Sequence, residues 1–228
     1  TFNMVVVVLS DASLATAQAP FPRPTFSEDW LAPPVDQSPI PEGAKPYDWD
    51  AVTGIARRFS PGQPGGMHTV TGLAHDQTGF PTNNPKEIDL LNRRLVWKIE
   101  RRRDEIVDVA RERCDDAEIL VFAYGSVARA AHQAVREARE AGIAAGLLRP
   151  RTLWPFPDRE VRELAGKVRT IVVPEMNLGQ MAHEVEWAAR GACHVVAFGR
   201  VDGLPVTPAQ ILELIRKAAQ DAGREARP

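Results

Sequence analysis

Ile119-Leu120-Val121-Phe122-Ala123-Tyr124-Gly125-Ser126 is the stretch that decides the fold. An unbroken apolar run of strand formers, with no polar residue on alternate positions, predicts a strand covered on both faces, as in a parallel sheet. Gly125 supplies a turn and Ser126 a natural N-cap, so a helix is predicted from Ser126 to Ala141. Val127, Ala131, Ala134, Val135, Ala138 and Ala141 share one face of it, Arg129, Arg136, Glu137 and Glu140 fall away, and Gly142 ends it. The chain then turns back: Ile143 to Leu148 reads as a second strand, Asp158 to Ala165 as a helix, and Thr170 to Val173 as a third strand.

Beyond that core the alternation continues. Met181, Ala182, Val185, Ala188 and Ala189 line a helix from Gly179 to Arg190, and His194 to Phe198 reads as a fourth strand. Thr207-Pro208 is an N-cap and first-turn proline ahead of an amphipathic helix carrying Ile211, Leu212, Leu214, Ile215 and Ala218; the polar tail 221–228 is expected to fray. Upstream, Ile88, Leu91, Leu95, Ile99, Ile106 and Val109 keep a helical period, which predicts one long helix from Pro85, capped by Asn84, to about Arg113. The Arg101-Arg102-Arg103 run within it is flanked by Glu100, Asp104 and Glu105 and reads as a solvated face. The expected fold class is α/β, a parallel sheet with helices on both faces over residues 85–220, preceded by a Pro-rich connector.

The first 84 residues differ in character. Met4-Val5-Val6-Val7-Val8-Leu9 is an apolar run of the kind that fills a central strand, yet no crossover unit precedes it. Residues 1–18 are therefore expected to hold the last strand of a truncated domain, and the chain to be a fragment missing an N-terminal domain. From Ala19 to Gly66 many of the 19 prolines gather and no period survives. Residues 19–84 read as a connector and polar loops, the connector wrapping a neighbouring surface with Phe21, Phe26, Trp30, Tyr47 and Trp49 as anchors. Within it, Pro61 to Gly66 is a turn and Met67 to Gly72 alternates as a strand would.

Composition removes several function classes. The net charge of −2 gives no pull toward nucleic acid or an anionic membrane, and no apolar run approaches the ~20 residues of a membrane span. Thr1 to Leu9 lacks the basic start of a signal peptide, so a cytoplasmic location is expected. Cys114 and Cys193 are the only cysteines, which suits a reducing compartment and excludes an iron–sulfur cluster held by this chain alone. His183-Glu184-Val185-Glu186-Trp187 opens like a zinc-protease helix but has Trp187 where the second histidine belongs. Ala123 to Ala128 offers one glycine where a dinucleotide fingerprint needs three, and no GxSxG elbow is present. No catalytic residue and no metal site are expected. His75-Asp76, in a glycine-bounded loop, is the remaining displayed pair.

Three stretches together resemble a known family: PGQPGGMHTVTGLAHDQTG (61–79), LRPRTLWPFP (148–157) and PEMNLGQ (174–180). They look like the alpha subunit of 2-oxoacid:ferredoxin oxidoreductases, C-terminal part, especially the 2-oxoglutarate type. On that resemblance, 1–18 is the end of a pyrimidine-binding (thiamine diphosphate) domain and 85–220 a transketolase C-terminal-like domain. It implies oxidative decarboxylation of a 2-oxoacid to an acyl-CoA on thiamine diphosphate and Mg, with electrons leaving through an iron–sulfur cluster to ferredoxin. The same resemblance places those cofactors in the complete complex, with the beta subunit and the missing N-terminal domain as partners in a hetero-oligomer. None is expected to be held by this fragment alone, which would serve assembly and active-site closure. His75, Asp76, Gly125, Ser126, Glu175, Asn177, Gly179 and Gln180 carry over as loop positions facing the active site or a partner. Helix capping is the alternative reading of Asn177 and Gly179-Gln180, of equal weight. Two rivals stand beside this reading: the equivalent domain of a transketolase or E1 component, and a stand-alone nucleotide-binding module.

Overall fold

The structure, a computed structural model, describes residues 1–28, 31, 38–60 and 62–225. Trp30, Pro61 and the last three residues of the tail lie outside the described residues. Two compact units emerge: one from Thr1–Val8 and Gln18–Glu105, the other from Leu9–Ala17 and Ile106–Pro228.

The second unit holds the sheet. Strands β1 (Val109–Glu112), β2 (Ile119–Phe122), β3 (Ala145–Pro150), β4 (Thr170–Glu175) and β5 (His194–Gly199) lie in the order β1-β3-β2-β4-β5. The β2–β3, β2–β4 and β4–β5 pairs are parallel, while β1 joins β3 antiparallel. Helices α4 (Gly125–Glu140) and α7 (Pro208–Glu225) share a core with one set of strand side chains, built on Val121, Val135, Ile211 and Ile215. Helices α5 (Asp158–Ala165) and α6 (Gln180–Ala189) share the other, built on Phe122, Leu148, Val161, Ile171 and Val185. Each residue of β2 and β4 is buried, because both faces of a crossover-built sheet are covered by helices. The expected α/β class, with a mostly parallel sheet and helices on both faces, is the one observed.

The first unit contains α2 (Pro85–Glu100), started by Asn84, whose side chain accepts from the Lys86 N–H, with Pro85 in its first turn. It packs on the 49–56 segment: a Cβ on Gly54 would lie 2.6 Å from the Trp97 ring. Along the chain, a short helix, α1 (Ala12–Thr16), which belongs to the second unit, comes before α2, and α3 (Arg103–Ile106) follows it.

Several expectations fail in this region. The long helix to Arg113 stops at Glu100, and Val109–Glu112 is the antiparallel edge strand β1. The helical spacing of Ile106 and Val109 is accidental, and edge pairing with β3 wins. Helix α2 also groups with the preceding segment rather than with the sheet, so the unit boundary falls at 105/106 instead of 84/85. Met4 to Leu9 forms no strand, and Val5 to Leu9 stay 72–87% exposed; a strand needs a neighbouring edge, and none is supplied here. Met67 to Gly72 is likewise irregular. Of the expected connector anchors, Phe21 and Phe26 are exposed, while Tyr47 and Trp49 pack within the first unit.

Candidate functional site

The carboxyl ends of β2 and β4 meet at the point where the chain reverses its direction of winding. From β2 the chain crosses through α4 to β3 on one side; from β4 it crosses through α6 to β5 on the other. Ligands of open α/β sheets settle in the crevice such a divergence leaves. Two glycines make the two turns: Gly125 (φ 57°) leaves β2 and Gly179 (φ 96°) enters α6, both in the left-handed region that other residues rarely adopt.

A polar knot fills the crevice. Glu175, the last residue of β4, is 1% exposed. Its Oε2 accepts from the Tyr124 hydroxyl (3.1 Å), Asn177 Nδ2 (2.9 Å) and the Met181 N–H (3.0 Å), and its Oε1 from the Ala182 N–H (2.9 Å). Asn177 Oδ1 accepts from the N–H groups of Gly179 (2.8 Å) and Gln180 (3.0 Å), which fixes the amide orientation. Its Nδ2 must then donate, and it does so to Glu175 and to the Tyr124 oxygen at 2.9 Å. The four N–H groups that a helix start leaves orphaned are thus met by one carboxylate and one amide. Burial, and then the charge of Glu175, push the Tyr124 hydroxyl up to about 12, so it stays a donor throughout the physiological range.

This is the capping reading of Asn177 and Gly179-Gln180, with Glu175 as the stronger cap. Ser126 does not cap α4: the N-cap is Tyr124, in extended backbone, and its side chain makes no capping hydrogen bond. The structure therefore gathers Gly125, Ser126, Glu175, Asn177, Gly179 and Gln180 around one crevice. Residues 155–157 follow β3, where the Phe156 ring packs on Phe122 at 5.8 Å.

His75 and Asp76 belong to the first unit and have local partners. His75 Nδ1 lies 2.8 Å from the Asp76 carbonyl and its ring stacks tilted on Tyr47 at 4.2 Å. The Asp76 carboxylate accepts from the Thr78 N–H and hydroxyl, bonds that hold it below the usual carboxylate range. The loop is braced by its own residues.

Tyr124 is the member that sequence reasoning missed. It ends an apolar run and reads as one more strand residue, although tyrosine carries a polar tip that must find a partner when buried. The available signal was a tyrosine at the end of the first apolar run and a glutamate just past the third predicted strand.

The residues present do not fit an iron–sulfur cluster, which needs four thiolates where the sequence has two cysteines. Among the described residues no group of three or more His, Cys, Asp or Glu is placed to hold a metal ion. Burial pushes both thiols up, so neither is a ready thiolate. No helix among the described residues is long and apolar enough to cross a membrane.

Known proteins resemble this arrangement. The family described as pyruvate:ferredoxin oxidoreductase core domain II matches residues 117–211. The 2-oxoglutarate synthase subunit KorA of Methanothermobacter marburgensis is 44% identical over 147 residues, 64% of this chain and 39% of that one. The 2-oxoglutarate oxidoreductase subunit KorA of Mycobacterium tuberculosis is 30% identical over 228 residues, 98% of this chain and 33% of that one. Among solved structures, a 2-oxoglutarate:ferredoxin oxidoreductase from Magnetococcus marinus, with 2-oxoglutarate, coenzyme A and succinyl-CoA bound, superposes with a TM-score of 0.70. That match is 25% identical and covers 78% of this chain and 31% of the other. The chain spans less than half the length of the curated relatives it matches. Residues 117–211 thus match the pyruvate:ferredoxin oxidoreductase core domain II, and the chain is similar to part of the KorA alpha subunits of 2-oxoglutarate oxidoreductases.

Proposed function

We propose that this chain is the C-terminal part of an alpha subunit of a 2-oxoglutarate-type 2-oxoacid:ferredoxin oxidoreductase, and that its role is assembly and closure of the site. The observation that carries this reading is the match of residues 117–211 to the oxidoreductase core domain, together with 44% identity to a KorA subunit over 147 residues. The complete enzyme would decarboxylate a 2-oxoacid oxidatively to its acyl-CoA, using thiamine diphosphate and Mg and passing electrons through an iron–sulfur cluster to ferredoxin. The beta subunit and an N-terminal pyrimidine-binding domain are the partners this reading assigns, in a soluble, cytoplasmic hetero-oligomer. No step of that reaction is assigned to residues of this chain.

The contribution of these residues is geometric. Glu175 and Asn177 lock the 175–180 loop to the start of α6, so a neighbour meets a preset surface and loses little entropy in ordering it. The uncapped start of α4 lies at the end of the adjacent strand and favours an anionic or carbonyl group brought by that neighbour. His75-Asp76 is held ready in the same way by Thr78 and Tyr47, as a second contact loop.

The full-length subunit, co-purified with its operon partners, tests this. Coenzyme A-dependent reduction of a viologen dye with 2-oxoglutarate is the expected result. Failure with every 2-oxoacid despite bound thiamine diphosphate would overturn the assignment.

A further inference from the structure

Arg94, on α2, is 6% exposed, and its Nη1 donates to the Gly54 carbonyl at 3.0 Å. Its guanidinium stands over the Trp49 ring at 5.2 Å. The Nε of the same side chain is buried and bonds no other group of the chain. A buried donor without an acceptor forfeits the hydration it had in water, and on a charged group that loss is larger. Burial first, and then repulsion from Arg58, already works against the charge of Arg94.

Arg94 lines a cleft of about 10 Å³. That volume suits one water and nothing larger. Tyr47, Trp49 and Leu91 give it apolar walls, while Asp76 and Glu87 bring carboxylates to the same cleft. An enclosed water needs two to four polar partners, and the lining offers a donor in want of an acceptor and two anionic acceptors. The roles are fixed by chemistry: Arg94 Nε has only a hydrogen to give and the carboxylates only lone pairs, so a water accepts from the first and donates to the second. Buried positive charge then meets negative charge through one bridge. Glu87 lies about two turns before Arg94 on α2, whereas Asp76 belongs to the loop that carries His75.

We propose that one ordered water occupies this cleft, accepts from Arg94 Nε and donates to the acidic wall formed by Asp76 and Glu87, which makes Arg94 a positioning residue for the His75-Asp76 loop. The inference uses groups of the first unit alone and does not rest on the oxidoreductase reading.

Two measurements on the whole chain test it. A high-resolution crystal structure should show a single spherical density peak within hydrogen-bond distance of Arg94 Nε and of at least one of the two carboxylates. In solution, a rotating-frame Overhauser spectrum should connect the Arg94 Nε hydrogen to a long-lived water. Arg94→Lys keeps the charge but removes the Nε–H, and its crystal structure should lose the peak. The same variant should speed amide exchange at least about threefold at Tyr47 and Gly79, whose N–H groups bond the Gln77 and Asp76 carbonyls. Exchange at Lys86, whose N–H is held by the Asn84 side chain, should not change. Wild-type protein with neither the peak nor the Overhauser signal, a direct bond from Arg94 Nε to a carboxylate, or unchanged exchange in Arg94→Lys would each overturn the proposal. Should Arg94→Lys fail to fold, the two wild-type signals decide alone.

Discussion

Tyr124 lies two residues beyond the end of β2 and Glu175 ends the neighbouring strand β4, and the Tyr124 hydroxyl donates to Glu175 Oε2 at 3.1 Å. That bond ties the two loops that leave the sheet in opposite directions. Tyr124→Phe removes one of four donors to the Glu175 carboxylate while keeping the ring's packing, and should cost about 1–2 kcal/mol. Urea unfolding should show a lower midpoint with an unchanged slope.

The same hydroxyl gives a pH signature. Its folded-state value of about 12 lies above the usual 10.0, so the folded protein holds this proton more tightly than the unfolded chain does. The associated stability is fully present below pH 10 and is lost as pH rises toward 12. The difference in stability between wild type and Tyr124→Phe should therefore shrink over that window and stay level from pH 7 to pH 9. A level difference across the whole range would show that Tyr124 is not held by burial and Glu175.

Gly199 ends β5 opposite Glu175, and a Cβ there would fall 2.5 Å from the Asn177 carbonyl oxygen. Gly199→Ala must push the 175–180 loop away from its bonds, at an expected cost of about 1–3 kcal/mol. Thermal denaturation reads the loss, and amide exchange should speed at Met181 and Ala182, whose N–H groups bond Glu175.

At the acid end, Glu163 is held down to about 2 by Arg111 first and then Lys167, with bonds of 2.8 and 2.7 Å. A folded value below the usual 4.5 means stability that is present above pH 4.5 and lost as pH falls toward 2. The pairs are partly exposed, so the effect is modest and shrinks in high salt. Glu163→Gln should flatten the acid limb of the stability curve at low salt and leave it nearly unchanged in 1 M salt.

How far the sequence foretold this depends on the kind of signal. The β2 to α7 alternation was legible because buried parallel strands read as unbroken apolar runs and their helices as one-faced stripes; Ile119–Phe122 and Asp158–Ala165 match the expected elements closely. Val109–Glu112 was not, because a four-residue edge strand carries too short a pattern to oppose a helical period arriving from Ile99 and Ile106. Met4 to Leu9 shows the opposite error: strand composition without an edge to pair with stays exposed. In the crevice, Glu175, Asn177, Gly179 and Gln180 were found through the resemblance, but their mutual bonding was not. Capping by a residue six and seven positions away depends on how β4 is aimed into α6, and only the fold supplies that.

The central claim is that the 175–180 loop is a preset docking surface for a neighbouring subunit, and Leu178, 81% exposed at its tip, offers the most direct probe. Leu178→Asp should leave the melting temperature of the isolated chain unchanged. In the full-length subunit, it should weaken association with the beta subunit at least about tenfold by analytical ultracentrifugation. Association equal to wild type would contradict the claim.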